Sequence, residues 1–208
     1  MTTKKLPIAV LASGRGSNFK AIVNGIIRGE VNAEVKVLIT NNPKAGAIKI
    51  AKRNGIPAEI VELEKFGDRE EFELKIKEIL DRNGAQLVVL AGYMLLLKSK
   101  ALLGAYRNKI INIHPALLPA FPGVHAQKQA FDYGVKISGL TIHFVDEQLD
   151  HGPIIFQKPV DISECKSVEE VEERILKSEH GAYKKVVDSF SKGIYVIEGR
   201  KTRFIPYQ

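Results

Sequence analysis

The 208-residue sequence predicts an α/β fold in which a doubly wound, mostly parallel sheet is followed by an antiparallel C-terminal part. Short apolar, β-branched runs alternate with helix-like segments through the first half of the chain, a rhythm typical of parallel strands joined by crossover helices. The run 86–92 is apolar on both faces, as expected of a strand covered on both sides. After His114 two strand-like runs lie close enough to pair antiparallel. The length favours one domain, 1–208, with halves at 1–108 and 109–208.

Strands of the first half are predicted where apolar or β-branched runs are bounded by turn-forming residues. They lie at 7–12, 35–40, 58–62, 86–92 and 109–114. Helices are predicted where apolar side chains recur every three or four residues, and they lie at 18–29, 44–55, 68–83 and 99–106. The first helix ends at Gly29 and the second at Asn54-Gly55. The third begins at Asp68, a favourable helix-capping residue, and ends at Asn83-Gly84.

The second half opens with "PALLPAFPGVHA" (115–126), whose three prolines predict a shaped loop. The wider segment 115–134, with its glycines and prolines, is predicted to be a lid that closes over a site, and the alternative is a rigid loop braced by its prolines. The elements that follow are a helix at 125–133, strands at 137–145 and 153–160, and an edge hairpin at 195–208. Before that hairpin, Ser167 and Glu170 have the spacing of a capping box and begin a helix that extends to about Ser189.

Composition and charge exclude several classes of protein. The formal net charge is +7, but acids and bases alternate along helix faces such as 68–82, which indicates a solvated surface rather than a nucleic-acid footprint. The single cysteine, Cys165, excludes an internal disulfide and suits a reducing compartment. No stretch is long and apolar enough for a membrane span, and the apolar run that contains Pro7 is too short for a signal peptide. A cytoplasmic location is therefore expected.

The segment "LASGRGSNFKAI" (11–22) predicts a glycine-rich turn between a strand and a helix, where free backbone N–H groups can hold an anion. The alternative is a structural turn without a ligand. A P-loop is excluded because no Gly-Lys-Ser/Thr string occurs. A dinucleotide site is disfavoured because Phe19 replaces the third small residue and Asn41, Asn42 and Pro43 stand where an acid is needed. A phosphate monoester is the predicted ligand.

Asn112 and His114 lie two residues apart in "IINIHP", so a strand presents both on one face. Pro115 ends that strand. The alternative is a polar pair that only caps the strand. An amide donor beside an imidazole suits acyl-type chemistry, in which both groups stabilise a developing oxyanion. Because the chain lacks a G-x-S-x-G motif, the attacking group is expected to belong to a substrate.

A histidine held in its cationic form needs a carboxylate partner. The loop "VDEQLDHGPII" offers Asp146, Glu147 and Asp150, and spacing alone does not choose among them. The alternative is a solvated turn between paired strands. His143, in the preceding strand, is either a supporting residue of the site or a buried core residue.

Five segments occur in a distinctive order and spacing: "SGRGSN", "VVLAGYM", "INIHPALLPAFPG", "HFVDEQLDHGPII" and "SEHGAY". In this series the chain closely resembles the phosphoribosylglycinamide formyltransferase family, the folate-dependent transformylases of purine synthesis. The resemblance covers nearly the whole chain and implies a Rossmann-like formyltransferase fold. One departure is "YMLLL", where many relatives have an arginine, so no role of that arginine is carried over.

The resemblance implies a catalytic triad of Asn112, His114 and Asp150. It implies that the ribose phosphate of the ribonucleotide substrate lies against Gly16, Ser17 and Asn18, and that Glu179 contacts the same substrate. The implied folate-binding set is Arg69, Met94, Leu95, Leu96, Leu97, Asn112, Asp146, Glu147, Gln148, Leu149 and Asp150. Arg69 would lie near the glutamate tail of the folate and 94–97 would line the pterin pocket. The two halves then become a phosphate-binding half and a catalytic, folate-binding half.

The resemblance also implies the reaction. The amine of 5-phosphoribosylglycinamide attacks the formyl carbon of the co-substrate 10-formyltetrahydrofolate, without a metal and without a covalent enzyme intermediate. Asn112 and a cationic His114 stabilise the oxyanion, while Asp150 raises the pKa of His114 and helps to move a proton. The partners are small molecules, with no nucleic acid or membrane, and the chain is a monomer or homodimer.

Three rival functions are weighed against this one. Methionyl-tRNA formyltransferases share the N-x-H and Asp core but usually append a C-terminal RNA-binding domain. Formyltetrahydrofolate hydrolases use water as the acceptor and usually carry an N-terminal regulatory domain. A non-catalytic nucleotide-binding module would use the glycine-rich turn alone and would leave Asn112, His114 and Asp150 without a role.

Overall fold

The computed structural model describes residues 5–207 and has the predicted doubly wound α/β fold. The strands are β1 (Leu6–Leu11), β2 (Ala33–Thr40), β3 (Ala58–Ile60), β4 (Leu87–Leu90), β5 (Ile110–His114), β6 (Ile137–Phe144), β7 (Ile154–Asp161), β8 (Gly193–Glu198) and β9 (Lys201–Pro206). The helices are α1 (Ser17–Ile27), α2 (Gly46–Arg53), α3 (Arg69–Arg82), α4 (Lys100–Ala105), α5 (Ala126–Tyr133) and α6 (Val168–Ser189), with a 3₁₀ helix at Leu63–Lys65.

Seven strands form a mostly parallel sheet in the order β3-β2-β1-β4-β5-β6-β7, which confirms the predicted fold class. β1 pairs in parallel with β2 on one side and with β4 on the other, so the winding direction reverses beside β1. In open α/β sheets such a reversal lies where ligands bind, outside the carboxyl ends of the strands. The glycine-rich turn directly follows the carboxyl end of β1. The chain divides into two compact units between Ile111 and Asn112.

The first unit is built around strands that are buried on both faces. All four residues of β4 are buried, as the apolar run 86–92 predicted. β3 is shorter than predicted because Ala58 and Ile60 are exposed, so little burial sustains it. The predicted start of α3 is confirmed, since the Asp68 carboxylate accepts a hydrogen bond from the Glu71 N–H at 2.8 Å.

The second unit contains the predicted antiparallel pair of β6 and β7, with an irregularity between Ile142 and His143. Ser167 caps α6 by accepting a hydrogen bond from the Glu170 N–H at 3.3 Å. The Glu170 carboxylate, however, accepts from the Lys166 N–H at 2.8 Å rather than from Ser167. β8 and β9 form a separate two-stranded sheet instead of extending the edge of the main one. Within residues 5–207, no helix is long and apolar enough to cross a membrane.

Candidate active site

Asn112 and His114, at the carboxyl end of β5, come together with His143 from β6 and with Asp150 from the following loop. The His114 Nδ1 atom lies 3.3 Å from Asp150 Oδ2. The His143 Nε2 atom lies 3.3 Å from Asn112 Nδ2 and 3.6 Å from Asp150 Oδ1. An amide, two imidazoles and a carboxylate therefore form one cluster at the end of a buried strand.

Of the three acids that spacing left open, only Asp150 reaches this cluster. Its side chain is 7% exposed, its backbone is left-handed (φ 50°), and its Oδ2 also accepts a hydrogen bond from the Gly123 N–H at 2.8 Å. Asp146 instead accepts from the Gln148 N–H, and Glu147 is exposed. Burial alone would raise the pKa of Asp150, but the contacts with His143, Gly123 and His114 lower it below its usual value.

The surroundings of His114 disfavour the cationic form that the resemblance implies. Burial lowers its pKa below 6.5, and the opposing effects of the Asp150 carboxylate and the Phe121 carbonyl do not cancel that shift. The ring is 3% exposed, so losing water costs the cation more than one carboxylate restores. Its Nε2 lies 2.8 Å from the Phe121 carbonyl oxygen and its Nδ1 faces Asp150. Two acceptors thus face the ring, which can donate to both only after it takes up a proton.

The lowered pKa of His114 predicts acid sensitivity of the folded state. The pKa of His180 is lowered as well, by burial and by the nearby Lys184. An unfolded histidine binds its proton near pH 6.5, above the pKa of the folded one, so the free energy of unfolding should fall as the pH falls below about 6.5. Urea denaturation from about pH 7.5 to about pH 5.5 should show a smaller fall for His114→Gln and for His180→Gln than for the wild type. An unchanged slope in His114→Gln would contradict the shift.

The tautomer of His143 determines how its ring contacts Asn112. Its Nδ1 lies 2.8 Å from the Phe144 carbonyl oxygen, so the proton is assigned to Nδ1 and the lone pair to Nε2. That lone pair accepts one N–H of the Asn112 amide, and an amide nitrogen has two. The second N–H of Asn112 is then oriented for another acceptor. The sequence did not decide whether His143 supports the site or belongs to the core. A histidine that alternates with apolar residues along a strand gives no sign of this contact.

In the first unit, the glycine-rich turn has the backbone that the sequence predicted. Gly16 begins α1 in a left-handed conformation (φ 77°) and gives that helix no capping side chain. A Cβ atom at this position would lie 2.9 Å from the Ala47 Cβ, so only glycine fits. Ser17 is half-buried and Asn18 is buried.

Ser13 is a contact of this turn that the sequence analysis missed. Its hydroxyl donates to Asn41 Oδ1 at 2.5 Å and accepts from the Met94 N–H at 3.0 Å. The Asn42 amide donates to the Ser13 carbonyl at 3.0 Å. The asparagines that replace a dinucleotide-binding acid therefore fix the turn itself, and they link it to the segment that begins at Met94.

The predicted folate residues of the first unit differ in their surroundings. The Arg69 guanidinium donates to the Leu96 carbonyl and to the fully buried Glu73, at 2.9 Å for the latter. Glu73 also accepts the Lys98 N–H at 2.8 Å. Met94 is 65% exposed, Leu95 and Leu96 are half-buried, and Leu97 is 1% exposed, so the Leu97 side chain belongs to the core.

The remaining predicted residues lie in the second unit. Gln148 and Leu149 are exposed beside Asp150, and Glu179 is buried in α6. Among residues 5–207, no three His, Cys, Asp or Glu side chains are grouped as a metal site, and the predicted independence from metal stays a prediction.

Known proteins match this chain along most of its length. A family model for formyl transferases matches residues 6–187. The phosphoribosylglycinamide formyltransferase of Bacillus subtilis (strain 168) is 46% identical over 179 residues, which cover 86% of this chain and 91% of that protein. The crystal structure of glycinamide ribonucleotide transformylase 1 from Symbiobacterium toebii superposes with a TM-score of 0.93 at 41% identity, covering 97% of this chain and 95% of that one.

A protein with a different acceptor also shares the fold. The formyltetrahydrofolate deformylase of Pseudomonas syringae pv. tomato matches with a TM-score of 0.81 at 27% identity. The match covers 98% of this chain and 67% of that one. The fold is therefore shared by proteins named as formyltransferases and by one named as a deformylase.

Proposed function

The chain belongs to the formyl transferase family and is a formyltransferase, and from that premise we propose that it transfers the formyl group of 10-formyltetrahydrofolate to the amine of 5-phosphoribosylglycinamide. This reaction belongs to the de novo synthesis of purines (IMP). The observation that carries the proposal is the buried cluster of Asn112, His114, His143 and Asp150. The 46% identity to a phosphoribosylglycinamide formyltransferase supports the choice of acceptor.

In the proposed mechanism the substrate amine attacks the formyl carbon, a C–N bond forms, and the carbonyl oxygen becomes an oxyanion. The second N–H of Asn112 and the Nε2–H of His114 donate to that oxygen. The bond to folate N10 then breaks, and N10 gains a proton as the attacking amine loses one, so protons balance. Because its pKa is lowered, Asp150 stays ionised and favours the protonated ring of His114. It is also proposed to help move the proton toward N10.

We propose that Gly16, Ser17 and Asn18 hold the phosphate of the ribonucleotide and that Glu179 contacts the same substrate. The folate is proposed to lie along 94–97 and 146–150. Arg69 is proposed to act on the folate pocket through the Leu96 carbonyl that it already holds, besides any contact with the glutamate tail. Independence from metal, a cytoplasmic location, a single domain and a monomeric or homodimeric state remain parts of the proposal.

The direct test mixes the protein with 10-formyltetrahydrofolate alone, with added 5-phosphoribosylglycinamide or with added methionyl-tRNA, and follows the change in folate absorbance. Turnover that requires the ribonucleotide supports the proposal. Turnover in its absence identifies a deformylase, the activity of the Pseudomonas syringae relative. Turnover only with methionyl-tRNA identifies the tRNA-directed enzyme. Absence of turnover with every acceptor contradicts the proposed reaction.

Ser17→Ala is expected to raise the KM for the ribonucleotide about 10-fold or more, because a hydrogen bond to a charged phosphate is worth about 1.5–3 kcal/mol. The KM for the formylfolate, measured in the same assays, should stay within about twofold, since the turn is proposed to hold only the ribonucleotide. An unchanged KM for the ribonucleotide would mean that the turn has only a structural role.

A further inference from the structure

The C-terminal hairpin, β8 and β9 with the turn between them, contacts the loop that carries Asp150. That loop, residues 145–153, is called the Asp150 loop here. Arg200, in the turn of the hairpin, places Nη1 3.0 Å from the Nε2 atom of His151 and donates from Nη2 to the His151 carbonyl at 2.7 Å. His151 in turn lies 2.9 Å, through Nδ1, from Asp146 Oδ2. Three side chains thus connect the hairpin to both ends of the Asp150 loop.

Donors and acceptors in this chain of contacts are mutually consistent. Asp146 is an acceptor, so His151 Nδ1 carries the proton and Nε2 carries a lone pair. That lone pair is what the Arg200 guanidinium, which can only donate, requires. The ring of His151 therefore lies between a carboxylate and a guanidinium, and the second guanidinium nitrogen fixes the backbone of the residue next to Asp150.

The hairpin is also anchored beside the points where the Asp150 loop begins and ends. The buried Phe144, which precedes the loop, packs edge-on against Tyr195 of β8, with ring centres 6.1 Å apart. Tyr195 also shares a hydrogen bond with Ser189, at 2.8 Å. After the loop, the Thr202 hydroxyl of β9 donates to the Ile154 carbonyl at 2.7 Å. The hairpin is thus anchored on both sides of the loop, and Arg200 reaches the loop from the turn between its strands.

We infer that Arg200 and His151 are positioning residues, which hold the Asp150 loop so that the carboxylate of Asp150 stays against His114. Asp150 needs such support, since its left-handed backbone (φ 50°) is uncommon for residues other than glycine. Neither residue touches the cluster directly; both act through the backbone next to Asp150. The inference rests on the proposed function for its kinetic consequence, but not for its structural one.

The expected consequence is local. The His151 and Asp146 side chains are 45% and 35% exposed, and polar contacts between exposed side chains contribute little to global stability. Arg200→Ala should therefore leave Tm nearly unchanged. It should speed amide hydrogen exchange in 146–152 and lower kcat by about 10-fold, because small displacements of a catalytic group are costly. KM for the ribonucleotide should stay as in the wild type.

The matched control is Arg203→Ala, on the same hairpin, whose guanidinium is 3.7 Å from Glu198 and whose side chain is 68% exposed. Hydrogen exchange, Tm, kcat and both KM values are measured for the wild type, Arg200→Ala, Arg203→Ala and His151→Ala. Faster exchange in 146–152 for Arg200→Ala and His151→Ala, but not for Arg203→Ala, supports the inference. The double variant Arg200→Ala/His151→Ala should lose no more kcat than the more damaging of its two single variants, because both residues act through one contact.

Equal exchange of 146–152 in Arg200→Ala and Arg203→Ala would overturn the inference, as would wild-type kcat in an Arg200→Ala protein that is otherwise active. A fall in Tm together with faster exchange throughout the hairpin would assign Arg200 a merely structural role, which also overturns it. If the wild type itself has no formyl transfer to the ribonucleotide, the proposed function fails, and the exchange comparison alone still decides whether Arg200 holds the loop.

Discussion

Asp150→Asn is expected to lower kcat/KM at least about 100-fold, because a proton-transfer partner contributes on the order of 10²–10⁴ in rate. The carboxamide matches the carboxylate in size and still accepts the Gly123 N–H through its oxygen. It carries no charge, so it no longer favours a proton on His114, whose pKa burial already lowers. The expected loss is therefore one of chemistry rather than of folding, and Tm should change little.

Steady-state kinetics of Asp150→Asn and of Glu147→Gln separate the acids of the loop. Glu147 is exposed and lies outside the cluster, so Glu147→Gln should lower kcat/KM much less than Asp150→Asn does. The wild-type pH profile of kcat/KM should lose one ionisation in Asp150→Asn. Near-wild-type activity of Asp150→Asn would move the acid role to Asp146 or Glu147 and would refute the proposed mechanism.

Gly152→Ala should be about as damaging, for a steric reason. A Cβ atom at residue 152 would lie 1.8 Å from the Phe144 carbonyl oxygen and 2.7 Å from its carbon. Both atoms are backbone, and the Phe144 N–H is bound to the Pro153 carbonyl at 2.9 Å, so neither strand can yield locally. The start of β7 and the Asp150 loop must then shift together. Displacing Asp150 by about 1 Å is expected to cost at least about 100-fold in kcat/KM.

The control for Gly152→Ala is Gly104→Ala, in α4, where a Cβ atom would meet nothing within 4 Å. That substitution should leave activity unchanged and raise stability by up to about 1 kcal/mol, because alanine is the better helix former. Thermal unfolding and kcat/KM are measured for both variants. Wild-type kcat/KM in Gly152→Ala would mean that the loop accommodates a methyl group without moving Asp150.

Local patterns were enough to predict the order of elements and the shared face of Asn112 and His114. Strand alternation and helix periodicity are properties of neighbouring residues, so they can be read from a sequence. Local patterns could not decide which of Asp146, Glu147 and Asp150 lies against His114. That choice depends on the left-handed backbone of Asp150 and on an N–H group from Gly123, 27 residues earlier in the chain. The resemblance to a known family points to Asp150 where spacing does not, and the structure places that carboxylate 3.3 Å from His114.

The lowered pKa of His114 could not be predicted from the sequence for a similar reason. A carboxylate partner can be inferred from composition and spacing, but the depth of burial that opposes it cannot. The contacts of Ser13 with Asn41 and of Arg200 with His151 connect segments 28 and 49 residues apart, and no periodicity signals them. Long-range polar contacts of this kind became visible only in the folded chain.

The Phe121 carbonyl, which accepts the Nε2–H of His114, has a consequence for binding measurements. In the proposed mechanism it is a tethered competitor of the formyl oxygen for this hydrogen-bond donor, and its effective concentration is high because the chain holds it there. Phe121 itself has a left-handed backbone (φ 53°), which is uncommon for residues other than glycine. Affinity for the formyl donor therefore includes the exchange of one carbonyl for another, and a titration of intact protein understates the intrinsic strength of the pocket.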